Sequence, residues 1–206
     1  EEGRLLDLKP FVDKDPNYKL DNYHKPSVDF CFDKPGRAGA MWGVPTNYAT
    51  ELLFYNTKLF DAAGVPYPNK DWTWDDLLNA AKKLAKDENG DGVNDIWGLT
   101  TYGMDGWMWQ HVLKSFGGDY VVVDGEGCLL DKPESVQALQ WIQDLMYGSM
   151  VMTKPADLAA MGQTAMFTSG KVAMVMGPEW VRYEVKSSHE TEGFEYGVAL
   201  LPKGPK

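Results

Sequence analysis

The sequence predicts an α/β fold, because helical patterns alternate with short apolar runs from about residue 50 onward. The clearest helix begins after Trp72, where Thr73 is the expected N-cap and Asp76 completes a capping box. Gly64 stands where the preceding helix should end, since glycine adopts the left-handed conformation that closes many helices. An alternation of capped helices and strands is typical of a layered lobe.

The predicted strands are short and apolar, and turn residues bound them. They lie at residues 41–45, 51–55, 96–100, 172–176 and 196–200. Before residue 41 the chain is rich in proline, aspartate and aromatic residues and shows little periodicity. The regular part of the fold is therefore expected to begin near residue 50.

The remaining helices are predicted from apolar spacing and glycine stops. Two of them cover residues 107–116 and 164–169. A third is expected to begin with a capping box between Asp131 and Glu134 and to end at Gly148. The apolar face of this third helix is expected to consist of Val136, Leu139, Ile142 and Met146.

Composition restricts the classes of function. The 206 residues include 30 acidic and 20 basic side chains, a net charge of −10 without a basic block, which disfavours nucleic acid and anionic membranes as partners. No run approaches the roughly 18 apolar residues of a membrane span. The 8 Trp and 10 Tyr residues are expected mainly in the core, with some rings beside glycines facing a ligand. Cys31 and Cys128 are too few for a disulfide scaffold, and a bond between them stays open.

Two sequence blocks resemble one known family. The first runs from Tyr55 to Gly64 and continues through Pro68 to residues 72–76, and the second covers residues 165–180. Blocks of this kind occur in the same order in the extracellular solute-binding proteins of carbohydrate-type ABC importers. The resemblance extends over nearly the whole chain, which therefore looks like the central part of a longer receptor.

The resemblance implies a periplasmic-binding-protein-like type II fold, in which two α/β lobes close about a hinge on a ligand. Residues 1–50 would belong to the first lobe and the hinge crossover, and residues 51–206 to an incomplete second lobe. Such a receptor binds its ligand without chemistry, so no enzyme activity is expected. The ligand would be a sugar or oligosaccharide in an interlobe cleft, delivered to the membrane permease subunits of the importer.

The same resemblance implies an extracellular or periplasmic monomer. A lipidated N-terminus outside the present 206 residues is expected to anchor it to the membrane. No nucleic-acid partner is expected, in keeping with the net negative charge.

An acidic segment at residues 87–95 matches the first nine positions of an EF-hand-type loop. Asp87, Asn89, Asp91 and Asp95 place oxygen-bearing side chains at positions 1, 3, 5 and 9. Gly92 occupies position 6, and Val93 offers its backbone carbonyl at position 7. Position 12, where a bidentate glutamate is usual, is Gly98. The segment is either a structural Ca²⁺ site completed by another carboxylate or water, or a solvated loop of turn-forming residues.

A ligand site is expected where a predicted strand gives way to a helix, at residues 103–109. In sugar-binding relatives this segment offers a carboxylate and an aromatic ring, and Asp105 and Trp107 occupy the matching positions. The C–H face of a sugar packs on an aromatic ring, and a carboxylate accepts hydrogen bonds from hydroxyls. The alternatives are an N-cap role for Asp105 and core packing for Trp107.

A second contact is expected after the strand at residues 172–176. The family places a tryptophan of the cleft at the position of Trp180, although relatives differ by one residue, so Glu179 is the alternative. Tyr48 lies on the crossover and is expected near the cleft floor. The predicted ligand contacts are therefore Tyr48, Asp105, Trp107 and Trp180.

Two other classes of function stay open. A glycoside-processing enzyme needs a chosen pair of carboxylates, but no motif selects one, and the three His residues lack metal or nucleophile spacing. A calcium-dependent carbohydrate-binding module would account for the acidic segment and the aromatic rings. Such modules are commonly all-β, and the predicted helices argue against this class.

Overall fold

The computed structural model describes residues 5–34, 38–102, 107–120 and 127–206, with the backbone alone for Lys34, Trp107 and Met108. The chain divides into two compact units. The first includes residues 5–49, and the second comprises residues 50–120 and 128–206. The assignment of these units to the lobes of a larger receptor stays a prediction.

The first unit is built from short elements. They are helix α1 (Lys9–Val12), one turn of 3₁₀ helix (Leu20–Asn22), helix α2 (Lys25–Asp29) and the antiparallel strands β1 (Phe32–Lys34) and β2 (Ala38–Met41). Val28, Phe32 and Met41 form a small core. The strand expected at residues 41–45 is wrong beyond Met41, because β2 pairs with β1 from Ala38 to Met41 and ends there.

A four-stranded sheet forms the centre of the second unit. Its strands are β3 (Glu51–Asn56), β4 (Trp97–Thr101), β5 (Val172–Pro178) and β6 (Tyr196–Leu200), in the order β4-β5-β3-β6. β4 and β5 run parallel, whereas β3 is antiparallel to both β5 and β6. The four strands predicted for this part of the chain are confirmed, with small differences at their ends.

Six helices surround the sheet in the described part of the second unit. They are α3 (Thr57–Ala63), α4 (Trp74–Leu84), α5 (Trp107–Ser115), α6 (Pro133–Gln143), α7 (Gly162–Thr168) and α8 (Val181–Glu192), and a π-helical turn (Asp144–Gly148) follows α6. Helix α8 was not predicted from the sequence. Its residues are mostly polar, and only Val181 and Val185 are buried, so its apolar periodicity is weak.

Helices cover both faces of the sheet, and each face has its own core. On one side, Leu53, Leu99 and Met174 share a core with residues of α4, α5 and α6. On the other side, Phe54 and Val175 share a core with residues of α7 and α8. Leu53 and Phe54 are neighbours on β3, and the alternation of side chains along a strand sends them to opposite faces. The predicted α/β class is confirmed as a three-layer arrangement.

The predicted capping box and glycine stops are confirmed. Thr73 Oγ1 accepts a hydrogen bond from the Asp76 backbone N at 3.3 Å, and Asp76 Oδ2 accepts one from the Thr73 backbone N at 2.9 Å. Gly64, Gly117 and Gly170 have φ angles of 62°, 83° and 76°, which glycine adopts without steric cost. These local sequence signals therefore place α3, α4, α5 and α7 correctly.

The helix expected after Asp131 differs at both ends. α6 begins at Pro133 with Lys132 as its N-cap residue and no side-chain cap, because proline suits the first helical turn. After α6 the π-helical turn continues to Gly148, and the positive φ angle falls on Met150, at 49°. The capping box at Asp131 and the C-cap at Gly148 are therefore wrong.

The buried face of α6 also differs from the expected one. Ser135, Ala138 and Ile142 are buried, whereas Val136 is 51% exposed. Ser135 is accommodated because its hydroxyl accepts from the Asp119 backbone N at 3.2 Å and donates to the Asp119 carbonyl at 2.8 Å. A satisfied polar residue therefore takes a core position that apolar spacing does not reveal.

Candidate ligand-binding site

The carboxyl ends of β4 and β5 meet at one edge of the sheet, because these neighbouring strands are parallel. The amino end of β3 lies at the same edge, with Glu51 opposite Pro178. We call this border, formed by Thr50, Glu51, Tyr102 and residues 177–180, the carboxyl edge. In open α/β sheets, ligands commonly bind beside such an edge.

Tyr102 directly follows β4 and lies at the carboxyl edge. Its backbone N donates to the Met176 carbonyl at 2.9 Å, and its ring lies against Gly177, where a Cβ atom would come within 2.8 Å of the ring. The hydroxyl donates to Glu184 Oε2 at 2.6 Å and contacts Thr164 Oγ1. Burial and the bond to Glu184 raise the pKa of Tyr102 above its usual value. The hydroxyl therefore stays protonated, as a donor, at neutral pH.

The start of α8 is attached to the sheet on both sides of Trp180. Trp180 is the N-cap residue of α8, two positions beyond the end of β5, and is half-buried. Glu179 N donates to the Thr50 carbonyl at 3.0 Å, and Thr50 N donates to Glu179 Oε2 at 3.4 Å. Glu184, in the first turn of α8, is bound to Tyr102. These contacts hold the first turn of α8 close to the carboxyl edge.

Carboxyl groups cluster along this edge. Glu51 is half-buried, and burial together with the neighbouring Glu179 raises its pKa. Glu184 adds a third carboxyl group through its bond to Tyr102. Because like charges repel, this cluster disfavours an anionic ligand at the carboxyl edge.

A groove of about 730 Å³ adjoins the carboxyl edge. Its walls include Trp109, Leu139, Gln143, Met146, Leu158 and Gln163, and none of its described lining residues is charged. Gln163 Nε2 donates to the Thr101 carbonyl at 3.4 Å, at the end of β4. Thr164, the next residue, contacts the Tyr102 hydroxyl. The groove and the carboxyl edge are thus joined through two consecutive residues of α7.

Sequence reasoning missed the groove. Leu139 and Met146 were expected in the core, but both are half-buried and line the groove. Their spacing defines one side of a helix, yet it does not reveal whether another layer covers that side. Trp109, inside the predicted ligand segment at residues 103–109, was the available signal.

The family model for bacterial extracellular solute-binding proteins matches residues 1–206. The chain belongs to this family. Solute-binding proteins of this family are extracellular or periplasmic transport proteins, so the resemblance drawn from the two sequence blocks is confirmed.

Two relatives show that solute-binding proteins similar to this chain differ in ligand. The arabinooligosaccharide-binding protein of Halalkalibacterium halodurans is 26% identical over 159 residues, covering 74% of this chain and 33% of that protein. The sn-glycerol-3-phosphate-binding periplasmic protein of Brucella abortus is 26% identical over 208 residues, covering 98% of this chain and 45% of that protein. The chain therefore spans less than half the length of either relative.

A solved structure shows the same fold. An ABC substrate-binding protein of Listeria monocytogenes in complex with cycloalternan is 28% identical, with a TM-score of 0.80. The match covers 99% of this chain and 49% of that one. The predicted type II periplasmic-binding-protein fold is therefore confirmed for this solute-binding protein, over about half of a complete receptor.

The four predicted ligand contacts are described to different extents. Tyr48 is 55% exposed in the first unit, with its ring centroid 5.5 Å from that of His24. Trp180 lies on the carboxyl edge of the second unit. Trp107 is the first residue of α5, and only its backbone is described. Asp105 lies outside the described residues. Contact of these four residues with a ligand stays a prediction.

The acidic loop (residues 87–95) is closed by its own hydrogen bonds. Asp87 accepts from the backbone N of Gly90 at 2.7 Å and of Gly92 at 2.9 Å. Three more side chains accept a backbone N–H at 2.8 Å: Asn89 from Asp91, Asp91 from Val93, and Asp95 from Glu88. Hydrogen bonds from the backbone lower the pKa of Asp87, and the bond from the Gly92 N–H contributes most to this shift. The oxygens of this loop are therefore engaged mainly by its own backbone.

The carboxylates of the acidic loop do not form a metal-binding group. In the part of the chain that the structure describes, no three His, Cys, Asp or Glu side chains are placed to hold one metal ion. Position 12 of the loop cannot provide the usual glutamate, because a Cβ atom at Gly98 would come within 2.3 Å of the Ala81 carbonyl oxygen, where α4 packs on β4. The calcium site stays a prediction that requires the carboxylates to move together.

The cysteines are unpaired in this structure. Cys31 is half-buried, its Sγ donates to the Ser27 carbonyl at 3.3 Å, and burial raises the pKa of its thiol. Cys128 is exposed.

Among the described residues, no helix is long and apolar enough to cross a membrane.

Proposed function

We propose that this chain is part of the substrate-binding component of a carbohydrate ABC importer. The complete protein would bind a sugar or oligosaccharide and deliver it to the membrane permease subunits without a chemical step. The observation that carries this proposal is the uncharged, mainly apolar groove that adjoins the carboxyl edge and whose walls include two aromatic rings and two side-chain amides. Family membership and the oligosaccharide-binding relative support the same class of ligand.

The groove suits a sugar in two respects. Trp109 is half-buried, and its ring offers a surface on which the C–H face of a pyranose or furanose can pack. Gln143 and Gln163 offer both amide donors and acceptors to sugar hydroxyls. Trp180 provides a second ring at the carboxyl edge. The further proposed contacts are Tyr48, Asp105 and Trp107.

An uncharged ligand fits this region better than a phosphate ester. The described walls of the groove carry no charge, and the carboxyl groups of Glu51, Glu179 and Glu184 would repel an anion. One contact favours the alternative, because Lys154 Nζ lies 5.5 Å from the ring centroid of Tyr147, a lining residue. A phosphate ester such as glycerol 3-phosphate is therefore the second candidate.

The partners and location belong to the same proposal. The protein would act as a monomer outside the cytoplasm, attached to the membrane by a lipidated N-terminus, and would dock on the importer's permease subunits. Calcium at the acidic loop is a separate proposal with a structural role. The loop leads into the amino end of β4, at the opposite end of this strand from the carboxyl edge.

Titration calorimetry on the complete protein tests the ligand class. Neutral arabino- and malto-oligosaccharides should bind, and sn-glycerol 3-phosphate should not. Gln143→Ala should weaken sugar binding about three- to tenfold, as expected for the loss of a hydrogen bond to the ligand. Gln137→Ala is the matched control, because Gln137 is exposed on the same helix and does not line the groove.

Two outcomes would contradict this account. Binding of glycerol 3-phosphate alone, with loss of affinity in Lys154→Gln, would establish the phosphate-ester alternative. Equal affinities of the Gln143→Ala and Gln137→Ala variants for a bound sugar would place the ligand outside the groove.

A further inference from the structure

We propose that Tyr102 is a positioning residue that orients Trp180 for the ligand. This role rests on the proposed sugar-binding function, but it concerns how the ring is held rather than which sugar it meets. The Tyr102 hydroxyl attaches the first turn of α8, which begins directly after Trp180, to the end of β4.

Glu184 transmits the position of Tyr102 to Trp180. Trp180, the N-cap residue of α8, and Glu184 are four positions apart, one helical turn, so they lie on the same side of the helix. Glu184 Oε2 accepts hydrogen bonds from the Tyr102 hydroxyl at 2.6 Å and from the Thr164 hydroxyl. Two donors on one carboxylate oxygen restrict rotation of the first turn, and Trp180 is at the start of this turn.

The Tyr102 ring also contacts the chain just before Trp180. A Cβ atom at Gly177 would lie 2.8 Å from the Tyr102 ring and 3.1 Å from Val181 Cγ2. The absence of a side chain at this position therefore permits the ring to lie directly on β5. Because Gly177 and Val181 flank the segment that contains Trp180, one tyrosine fixes this segment through both its ring and its hydroxyl.

Thr164 extends the same cluster to the groove. It follows Gln163, a groove residue whose amide donates to the Thr101 carbonyl at 3.4 Å. Tyr102, Thr164 and Glu184 therefore hold α7, α8 and the end of β4 together. The cluster sets the separation between the groove wall and Trp180, which a ligand contacting both would require.

Fluorine NMR measures the orientation of Trp180 without a ligand. In the complete protein labelled with 5-fluorotryptophan, Trp180→Phe identifies the Trp180 resonance. Tyr102→Phe and Thr164→Val should shift or broaden this resonance, whereas Thr164→Ser, which keeps the hydroxyl, should restore it. The matched controls are Tyr183→Phe on α8 and Ser169→Ala at the end of α7, which remove hydroxyls that bond to Arg182 and Met166 rather than to the cluster and should leave the resonance unchanged.

Sugar affinity provides the functional half of the test. With the tightest-binding oligosaccharide of the calorimetric panel, Tyr102→Phe and Thr164→Val should each weaken binding about three- to tenfold. The control variants should bind like the wild type. If Tyr102→Phe fails to fold, Thr164→Val alone decides the result.

Three results would overturn the positioning role. They are an unaltered Trp180 resonance in the cluster variants, an equal change in the control variants, and wild-type affinity in a variant whose resonance has moved. Failure of every sugar to bind would instead refute the proposed function. The ligand-free spectra would still decide whether Tyr102 orients Trp180.

Discussion

The acidic loop leads into the amino end of β4, and the carboxyl edge begins at the other end of the same strand. In the acidic loop, five side-chain hydrogen bonds join residues two to seven positions apart, and one longer-range bond runs from Asn94 Nδ2 to the Met150 carbonyl at 2.6 Å. At the carboxyl edge, the Tyr102 hydroxyl donates to Glu184, 82 positions away, and contacts Thr164, 62 positions away. Mainly neighbouring residues organise the first region, whereas only the folded sheet organises the second.

This difference separates two kinds of role. Bonds between near neighbours satisfy the polar groups of a turn and leave the rest of the unit unaffected. Bonds between distant segments bring three elements to one place, which a ligand site requires. The carboxyl edge is therefore the region where substitutions should change ligand binding, and the acidic loop is the region where they should change stability alone.

The largest effect is expected where the acidic loop meets the core. Gly98→Glu would restore the usual residue at position 12, but its Cβ atom would come within 2.3 Å of the Ala81 carbonyl oxygen. We expect a loss of about 3 kcal/mol in the free energy of unfolding, measured by denaturant titration.

Gly92→Ala is the comparison within the loop itself. No atom lies within 4 Å of an added Cβ there, and only the φ angle of 85° opposes the change, so the cost should be about 1 kcal/mol. Equal costs for the two variants would show that α4 does not restrict position 98.

Calcium provides the next largest effect if the acidic loop binds it. At a calcium concentration 100 times the dissociation constant, the free energy of unfolding should rise by about 2.7 kcal/mol. Asp91→Ala should abolish the response of the melting temperature to calcium and to EDTA. Glu88→Ala, at a position that offers no ligand in an EF-hand-type loop, should retain it.

A melting temperature that ignores both calcium and chelator would assign the loop to ordinary turn structure. Sugar affinity should not change in either variant, because the loop lies at the far end of β4 from the carboxyl edge.

Tyr102→Phe should lower the free energy of unfolding by about 1 kcal/mol or less at neutral pH, because it removes one partly exposed hydrogen bond. The pKa of Tyr102 is raised in the folded state. Its contribution to stability is therefore complete below the usual tyrosine pKa of 10.0 and is lost as pH rises through the folded value. The variant should show a shallower alkaline loss of stability in denaturant titrations, and Tyr183→Phe should match the wild type.

The smallest effect is expected for Asp87→Asn. Hydrogen bonds to the folded carboxylate lower the pKa of Asp87. Its contribution is therefore complete above the usual value of 3.8 and is lost as pH falls through the lower folded value. The acid limb of the stability curve should become shallower in this variant and stay unchanged in Glu88→Gln. A steeper acid limb would contradict the hydrogen bonds of the loop.

The separation along the chain between interacting residues also explains which features the sequence could predict. Thr73 and Asp76 form the expected capping box because the partners are three residues apart, and Gly64 ends α3 by its own conformation. The EF-hand-like spacing was visible for the same reason. The obstruction at Gly98 was not, because Ala81 approaches it only after α4 has packed on β4.

The candidate site was only partly visible in the sequence. The strand end before Trp180 was predicted, because the apolar run and the glycine after it are local signals. The roles of Tyr102, Thr164 and Glu184 were not, because their contacts depend on how α7 and α8 pack on the sheet. The groove was missed because Leu139 and Met146 carry the spacing of a core face and yet line an open surface.

Hydrogen–deuterium exchange on the complete protein, with and without a bound neutral oligosaccharide, tests the central claim most directly. The account predicts ligand-dependent protection at residues 101–102, 163–164 and 177–184, and unchanged exchange in the acidic loop. Protection confined to the acidic loop, or none at the carboxyl edge while calorimetry shows binding, would contradict it.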